Sequence, residues 1–226
     1  MLWIGIGVLV LGLVAYWLLV VTEGTYLGAR CVALLYDATA TRYDDIKQLH
    51  FVDEKVYLGI PFAERLEDRP HPKVLDVAAG TARMPIALGS SLEFEGTVVA
   101  GDRAAGMLAV AREATRHLNG SLNLTRFDAQ HLPFADAAFD GATCLEALEF
   151  IPDGTRALSE IRRILVPGGV ALISNRVGRD ALWFPGRVCG RGKLEEQLCE
   201  LGFVDIERQI WQVHYDLVWA RKPEAG

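Results

Sequence analysis

No charged residue precedes Glu23, so the chain opens with twenty-two residues, Met1 to Thr22, that lack Asp, Glu, Lys and Arg. At about 1.5 Å per helical residue, roughly twenty residues cover the ~30 Å hydrocarbon core of a bilayer, which predicts one membrane-spanning helix over 1–22. Trp3 near one end and Tyr16, Trp17 and Tyr26 towards the other stand where amphipathic rings favour the headgroup level. The lack of Lys or Arg ahead of the run argues against a cleaved signal peptide, which carries a basic leader and a shorter apolar core. A buried core helix is the other competing reading, usually shorter at about 10–14 apolar residues. Basic residues are absent on the amino side, whereas Arg30 and Arg42 follow within about twenty residues. That bias predicts a single-pass membrane protein with its large domain on the cytoplasmic side.

Other absences narrow the function. The four cysteines, Cys31, Cys144, Cys189 and Cys199, form no C-x-x-C pair and no Cys/His spacing, so neither a zinc site nor a disulfide framework is expected. Free, mostly buried thiols in a reducing compartment fit them better. Basic residues are outnumbered, 23 Lys and Arg against 29 Asp and Glu with a net charge of −6, which excludes a general nucleic-acid binder. Internal repeats and low-complexity tracts are missing as well. What remains after the apolar run suits one domain with a sizeable core. We divide the chain into a transmembrane helix (1–22), a juxtamembrane helical cap (23–70) and a core domain (71–226).

Within the cap, Tyr26 to Tyr36 is mostly apolar and reads as an interfacial or a buried helix. Two short helices are expected after it, the second opening at Pro61, whose ring is tolerated at a first helical position. From Lys73 the pattern changes. Val74–Val77, Thr97–Ala100, Leu122–Phe127, Phe139–Cys144 and Val170–Ser174 read as strands, and 83–92, 104–118, 145–150 and 155–165 as helices. Asp153 is an expected N-cap, and Pro167, Gly168 and Gly169 an expected turn. Alternating strand and helix predicts βαβ units on a parallel sheet. After a helix near 193–201, the β-rich runs 203–210 and 212–219 are too close for a helical crossover and should pair antiparallel at one edge. The predicted fold is α/β and Rossmann-like: a seven-stranded, mostly parallel sheet with an antiparallel terminal strand and helices on both faces.

The stretch from Val74 to Arg83, with Asp76, Val77, Ala78, Ala79, Gly80 and Thr81 at its centre, reads as a buried strand running through small residues into a helix. Small residues let backbone approach a ligand closely, and the first such turn of an open parallel sheet is the expected crevice. Asp102, followed by Arg103, ends the second strand, where a carboxylate can accept both hydroxyl protons of a ribose. Asp128 and Ala129 end the third, where a carboxylate can accept from an exocyclic amine, and Met107 is spaced to pack on an aromatic base. Each acid could equally be a loop cap; their recurrence at successive strand ends favours a site.

These residues resemble the class I S-adenosylmethionine-dependent methyltransferases. The family's first motif, an acid followed by alternating glycines, reads here Asp76-Val77-Ala78-Ala79-Gly80-Thr81-Ala82, with alanine at the first and third glycine positions. The likeness continues through Asp102, Asp128-Ala129, Leu132-Pro133-Phe134, Phe139-Asp140 and Leu165 to Gly169. It implies S-adenosyl-L-methionine as cofactor, held by 76–81, Asp102, Arg103, Met107, Asp128, Ala129 and Leu145. Tyr36 to Asp44 is similar to the segment that helps close the cofactor pocket in quinone-biosynthesis C-methyltransferases. Glu146 to Phe150 resembles the E-x-x-E-H metal motif of ubiquinone O-methyltransferases, with Phe150 in place of histidine. Two carboxylates alone make a poor metal site, so no metal is expected.

The sulfonium of that cofactor carries an activated methyl, so the protein must align an acceptor and exclude water; a hydroxyl acceptor also needs its proton removed. His131, Glu146 and Glu149 follow the third and fourth strands and are the candidate bases, with surface groups as the competing reading. Arg176, Arg179, Arg187, Arg191 and Lys193 surround Trp183, Phe184 and Pro185 with one acid, Asp180, a composition suited to an anionic membrane surface or an anionic substrate head. A solvated basic loop with Trp183 in the core competes with it. The function expected is a membrane-anchored methyltransferase acting on a small lipophilic acceptor, such as a quinone precursor, isoprenoid or lipid. A catalytically silent methyltransferase-like adaptor is the alternative. A nicotinamide oxidoreductase would need G-x-G-x-x-G spacing, which Ala78 to Arg83 lacks.

Overall fold

The computed structural model describes residues 1–44, 51–91, 94–118 and 121–225. An apolar helix, α1 (Leu2–Tyr16), continues through a π-wound turn, Trp17–Val21, giving a stretch from Trp3 to Val21 of mean hydropathy 2.6 with none of it buried in the protein. It is long and apolar enough to cross a membrane. The Thr22 hydroxyl donates to the Trp17 and Leu18 carbonyls and closes the helix, and Gly24 turns the chain with φ +76°.

Two helical pieces form the cap. Helix α2 (Ala29–Thr39) covers most of the predicted 26–36 segment. The second, α3, runs over 51–64 with a π-wound centre, Lys55–Gly59. Pro61 stands in the first turn of the α-helical stretch Ile60–Glu64, as expected, and the π-wound turn joins that stretch to the one before it. Proline has no N–H to donate, and the π turn just before it shifts the pattern, Ile60 N–H bonding back to Lys55 O. The other predicted cap helix falls partly on 45–50, outside the described residues.

The core sheet contains β1 (Lys73–Val77), β2 (Thr97–Asp102), β3 (Leu122–Arg126), β4 (Phe139–Cys144), β5 (Leu165–Arg176), β6 (Val204–Ile210) and β7 (Tyr215–Arg221). Helices α4 (Arg83–Gly89), α5 (Ala105–Ala114), α6 (Gly154–Ile164) and α7 (Lys193–Glu200) connect them. The order is β3-β2-β1-β4-β5-β7-β6, parallel except for β7, which pairs antiparallel with both β5 and β6. The last strand thus slots between its hairpin partner and β5 instead of adding to the edge. Asp153 caps α6 as expected, its carboxylate accepting from Arg156 N–H at 2.8 Å. The predicted 145–150 helix is only a 3-10 turn, Leu148–Phe150.

Period-two alternation sorts the core. Leu75 and Val77 of β1 face Leu158, Ile161, Leu194 and Leu198, while Val74 faces Leu58, Phe62, Met84 and Leu88. Each face is fully covered, so helices lie on both sides. The chain winds outward from β1 through β2 to β3, then returns to place β4 on the other side of β1. That reversal opens a crevice beyond the carboxyl ends of β1 and β4, where ligands bind in open α/β sheets.

Candidate cofactor and acceptor site

Residues 78–82 make the floor of the crevice. Ala78, Gly80 and Ala82 all take left-handed backbone, with φ of +56°, +55° and +75°. The alternation explains why such turns favour glycine at every second position: a Cβ in that region costs about 1–2 kcal/mol. The Gly80 N–H donates to Asp102 Oδ2 at 3.0 Å, and Ala104 N–H donates to Oδ1 at 2.8 Å. The carboxylate of Asp102 thus ties the β1 turn to the end of β2. Burial raises its pKa, partly offset by these hydrogen bonds. Each oxygen keeps a lone pair with which to accept from a diol.

Beyond Asp102 the wall continues through Arg103, Phe127, Asp128 and Ala129. Asp128 Oδ1 accepts from the Gln130 N–H and side-chain amide, and Oδ2 from Arg103 at 2.6 Å. Partial burial pushes the Asp128 carboxyl up, but the Gln130 hydrogen bonds and the Arg103 charge outweigh it and hold it below the usual range. Opposite, α2 contributes Ala29, Val32, Ala33 and Tyr36, and the turn after β4 contributes Leu145, Ala147, Phe150 and Ile151. The cleft encloses about 760 Å³ including its open mouth. One half is polar and backbone-rich; the other is apolar.

The cap is fastened over this cleft by two polar contacts, from Asp37 and Asp44, and braced within itself by a third, from Tyr36. Asp37 accepts from Gly106 N–H at the start of α5 at 2.6 Å, where a side chain on Gly106 would run into Asp37. The Thr81 hydroxyl donates to Asp44 at 2.6 Å, and Tyr36 OH donates to Glu23 at 2.6 Å. Tyr36 and Tyr43 pack against each other and line the cleft; burial raises the pKa of both, so both are neutral phenols.

Ala78, Gly80, Asp102, Arg103, Asp128, Ala129, Leu145 and Glu146 come together on the main wall. Asp76, Ala79 and Thr81 line an adjoining recess behind the turn, with Arg83 and Met84. Asp76 accepts from the Thr143 hydroxyl at 2.6 Å, and burial pushes its carboxyl up to about 7. Val77 and Met107 lie in the core: Val77 points to the α6 face, and Met107 is fully buried with Ala40, Ala104 and the cap tyrosines. Met107 thus seats the cap rather than lining the cleft.

The three candidate bases separate. His131 is exposed in the turn that follows Asp128, off the cleft wall. Glu149 is 1 % exposed beneath the wall, paired with Arg176 at 2.9 Å, and it accepts a short hydrogen bond from Tyr215. Glu146 lines the cleft, held by Arg83, which also binds Glu54 and lies 4.6 Å over the Trp211 ring. Arg83, Glu54, Tyr215 and Trp211 escaped the sequence reading because their partners lie 29 or more residues away. Arg83, at the end of the 76–83 stretch, carried the one available signal, a cation directly after the turn. Phe150, where a third metal ligand would stand, instead joins Tyr36 and Phe184 in edge-on ring contacts.

A methyltransferase-domain family model matches residues 75–173. A demethylmenaquinone methyltransferase of Staphylococcus haemolyticus is 42% identical over 98 residues, 43% of this chain and 41% of that protein. A ubiquinone/menaquinone biosynthesis C-methyltransferase of Xanthomonas oryzae is 31% identical over 157 residues, 69% of this chain and 62% of its own length. The chain thus spans less than two thirds of the length of these relatives. A SAM-dependent methyltransferase of Aquifex aeolicus superposes with a TM-score of 0.65 at 17% identity, covering 82% of this chain and 97% of that one. The residues on the wall fit S-adenosylmethionine: a twin-acceptor carboxylate at Asp102 for a diol, and an apolar pocket beside Asp128 for a base. Residues 75–173 thus match a methyltransferase-domain model, and the sheet and helices around them share the fold of S-adenosylmethionine-dependent methyltransferases.

Proposed function

We propose that this chain is a membrane-anchored enzyme that transfers a methyl group from S-adenosylmethionine to a lipophilic quinone precursor, with its domain on the cytoplasmic side. The observation that carries the reading is the division of the cleft. Its apolar half is built by α2, which follows the exit of the apolar helix within a few residues. The quinone-pathway names of the relatives agree with an acceptor that partitions into a bilayer. An anchored domain meets such an acceptor at a raised effective concentration. The two arginines after the helix and a cytosolic cofactor both favour the cytoplasmic side.

S-adenosylmethionine supplies the activated methyl. The chain's own work is to hold it, orient the acceptor and keep water out. Asp102 and the 78–82 turn hold the cofactor; α2, Tyr36 and Tyr43 cover the site; Val32, Ala33, Phe150 and Ile151 give a flat apolar ring system a surface to lie on. Of the three candidate bases, Glu146 alone lines the cleft among the described residues, and we assign it to take the proton that an acceptor hydroxyl or ring carbon gives up. Arg83 fixes its orientation.

Incubating the full chain, isotopically labelled S-adenosylmethionine and demethylated quinols in liposomes should give labelled quinone by mass spectrometry. Glu146→Gln should lower kcat by about 10²-fold with cofactor affinity retained. Label found only in products other than quinones would refute the acceptor class.

A further inference from the structure

The apolar helix is not joined to the domain by free chain. Thr22, Gly24 and Thr25, its exit residues, are buried. Trp17, in the last turn, stacks on Tyr26 with ring centres 5.1 Å apart. The Tyr26 hydroxyl donates to the Pro185 carbonyl at 2.9 Å, Arg187 donates to the Thr25 carbonyl at 3.2 Å, and the same guanidinium lies 5.5 Å over the Tyr26 ring. Arg187 also donates to the carbonyls of Ile151 and Pro152 on the cleft rim. One arginine therefore ties together the helix exit, the loop after β5 and the mouth of the site.

That loop carries a single 3-10 turn, Asp180–Trp183, whose side chains divide sharply. Phe184, just after it, is 2 % exposed and packs with Phe150 and Cys189, whereas Leu182 is 78 % and Trp183 50 % exposed. Leu27, the residue after Tyr26, is also exposed. Arg30 and Arg179 stand exposed nearby in sequence to these groups. Single exposed apolar residues are ordinary on any surface. Here a leucine and a tryptophan stand just ahead of Pro185 and Arg187, which clamp their loop to the exit of a 19-residue apolar helix, with Arg179 directly before the turn, and that is the chemistry of a bilayer interface.

We propose that the Asp180–Trp183 turn, with Leu27, is a bilayer-docking surface: Leu182 and Trp183 enter the headgroup boundary of an anionic membrane, and Arg30 and Arg179 meet its phosphates. With α1 as a first point of attachment and this turn as a second, the domain cannot swivel about its anchor. The α2 side of the cleft mouth is held at one height above the lipid. The inference rests on the reading of α1 as a membrane anchor.

The test uses the full chain reconstituted in phosphatidylglycerol-containing liposomes. Subtracting the emission of Trp183→Phe from that of the native chain isolates Trp183. The expected difference spectrum is blue-shifted and loses most of its intensity when the lipids carry bromine near the headgroup end of the acyl chains. The variant's remaining emission comes from Trp3 and Trp17 of the apolar helix and from Trp211 and Trp219, which pack in or against the domain core, so the part of it that lipid bromine quenches reports the anchor separately. If that emission is quenched by brominated lipid while the Trp183 difference stays solvent-like and unquenched, the docking surface is overturned and the anchor stands. If neither is quenched, the anchor fails and the surface with it. A Leu182→Glu/Trp183→Glu chain should bind S-adenosylmethionine as the native chain does. It should turn over bilayer-borne acceptor more slowly than detergent-dispersed acceptor, and equal rates would overturn the proposal.

Discussion

Replacing Ala78 by glycine should make the protein more stable, the reverse of what glycine does at most alanine positions. Ala78 sits at φ +56° in the turn at the floor of the cleft, a conformation that costs a residue with a Cβ about 1–2 kcal/mol. Glycine removes that strain but adds unfolded-state entropy worth about 0.4–1 kcal/mol. Its missing methyl, only partly buried at this position, forfeits a fraction of the ~0.8 kcal/mol of a fully buried one. The balance is a gain of about 0.5 kcal/mol, or a rise in Tm of roughly 1–2 °C for a domain of this size. Ala82 shares the strain, at φ +75°, but its methyl is completely buried, so Ala82→Gly should come out near zero. Ala79, between them, is not in the left-handed region, and Ala79→Gly should cost about 1 kcal/mol. Thermal unfolding of the three variants in detergent, followed by circular dichroism, gives the order Ala78→Gly, Ala82→Gly, Ala79→Gly from most to least stable. Equal losses at Ala78 and Ala79 would show that the turn stores no strain.

Three further outcomes follow from buried carboxylates. Asp76 is held neutral to about pH 7 by burial, well above its unfolded value, so the folded state keeps a proton that the unfolded state releases. Stability should therefore fall as pH rises from about 4 to about 7, by at most ~1.4 kcal/mol per unit; denaturant midpoints should show the slope flattened in Asp76→Asn and the variant more stable than the native protein at pH 8. Glu149→Gln leaves the buried Arg176 cation without its counter-charge and should cost about 3 kcal/mol in urea unfolding; a loss as small as that of an exposed pair would place Glu149 nearer water. Asp102→Asn, which keeps the side chain's shape, should weaken S-adenosylmethionine binding by about tenfold or more by calorimetry, with Glu146→Gln changing it little.

The pattern of apolar runs and small-residue turns was enough to read the five parallel strands, the antiparallel terminal pair and the acids at strand ends, because period and punctuation are local properties of a chain. Two features resisted for physical reasons. β5 begins at Leu165, ahead of Pro167-Gly168-Gly169, residues that read as a turn; the strand survives them through a register break opposite Phe139 and Gly141. The arginine-carboxylate pairs that hold Glu146 and Glu149 join elements far apart in sequence, so neither residue type nor spacing reveals them. Met107 was spaced correctly for a base-stacking role, but its position on α5 turns it toward Ala40 and the cap. Trp183, a core candidate by composition, yields the inner position to Phe184.

Titration calorimetry of the full chain in detergent with S-adenosylmethionine tests the central claim, that the cleft between the 78–82 turn, Asp102 and α2 is a cofactor site. Binding should be saturable at one site, abolished or strongly weakened in Asp102→Ala and kept in Glu146→Gln. No heat of binding at millimolar ligand, or an Asp102→Ala chain that binds as tightly as the native one, would contradict it.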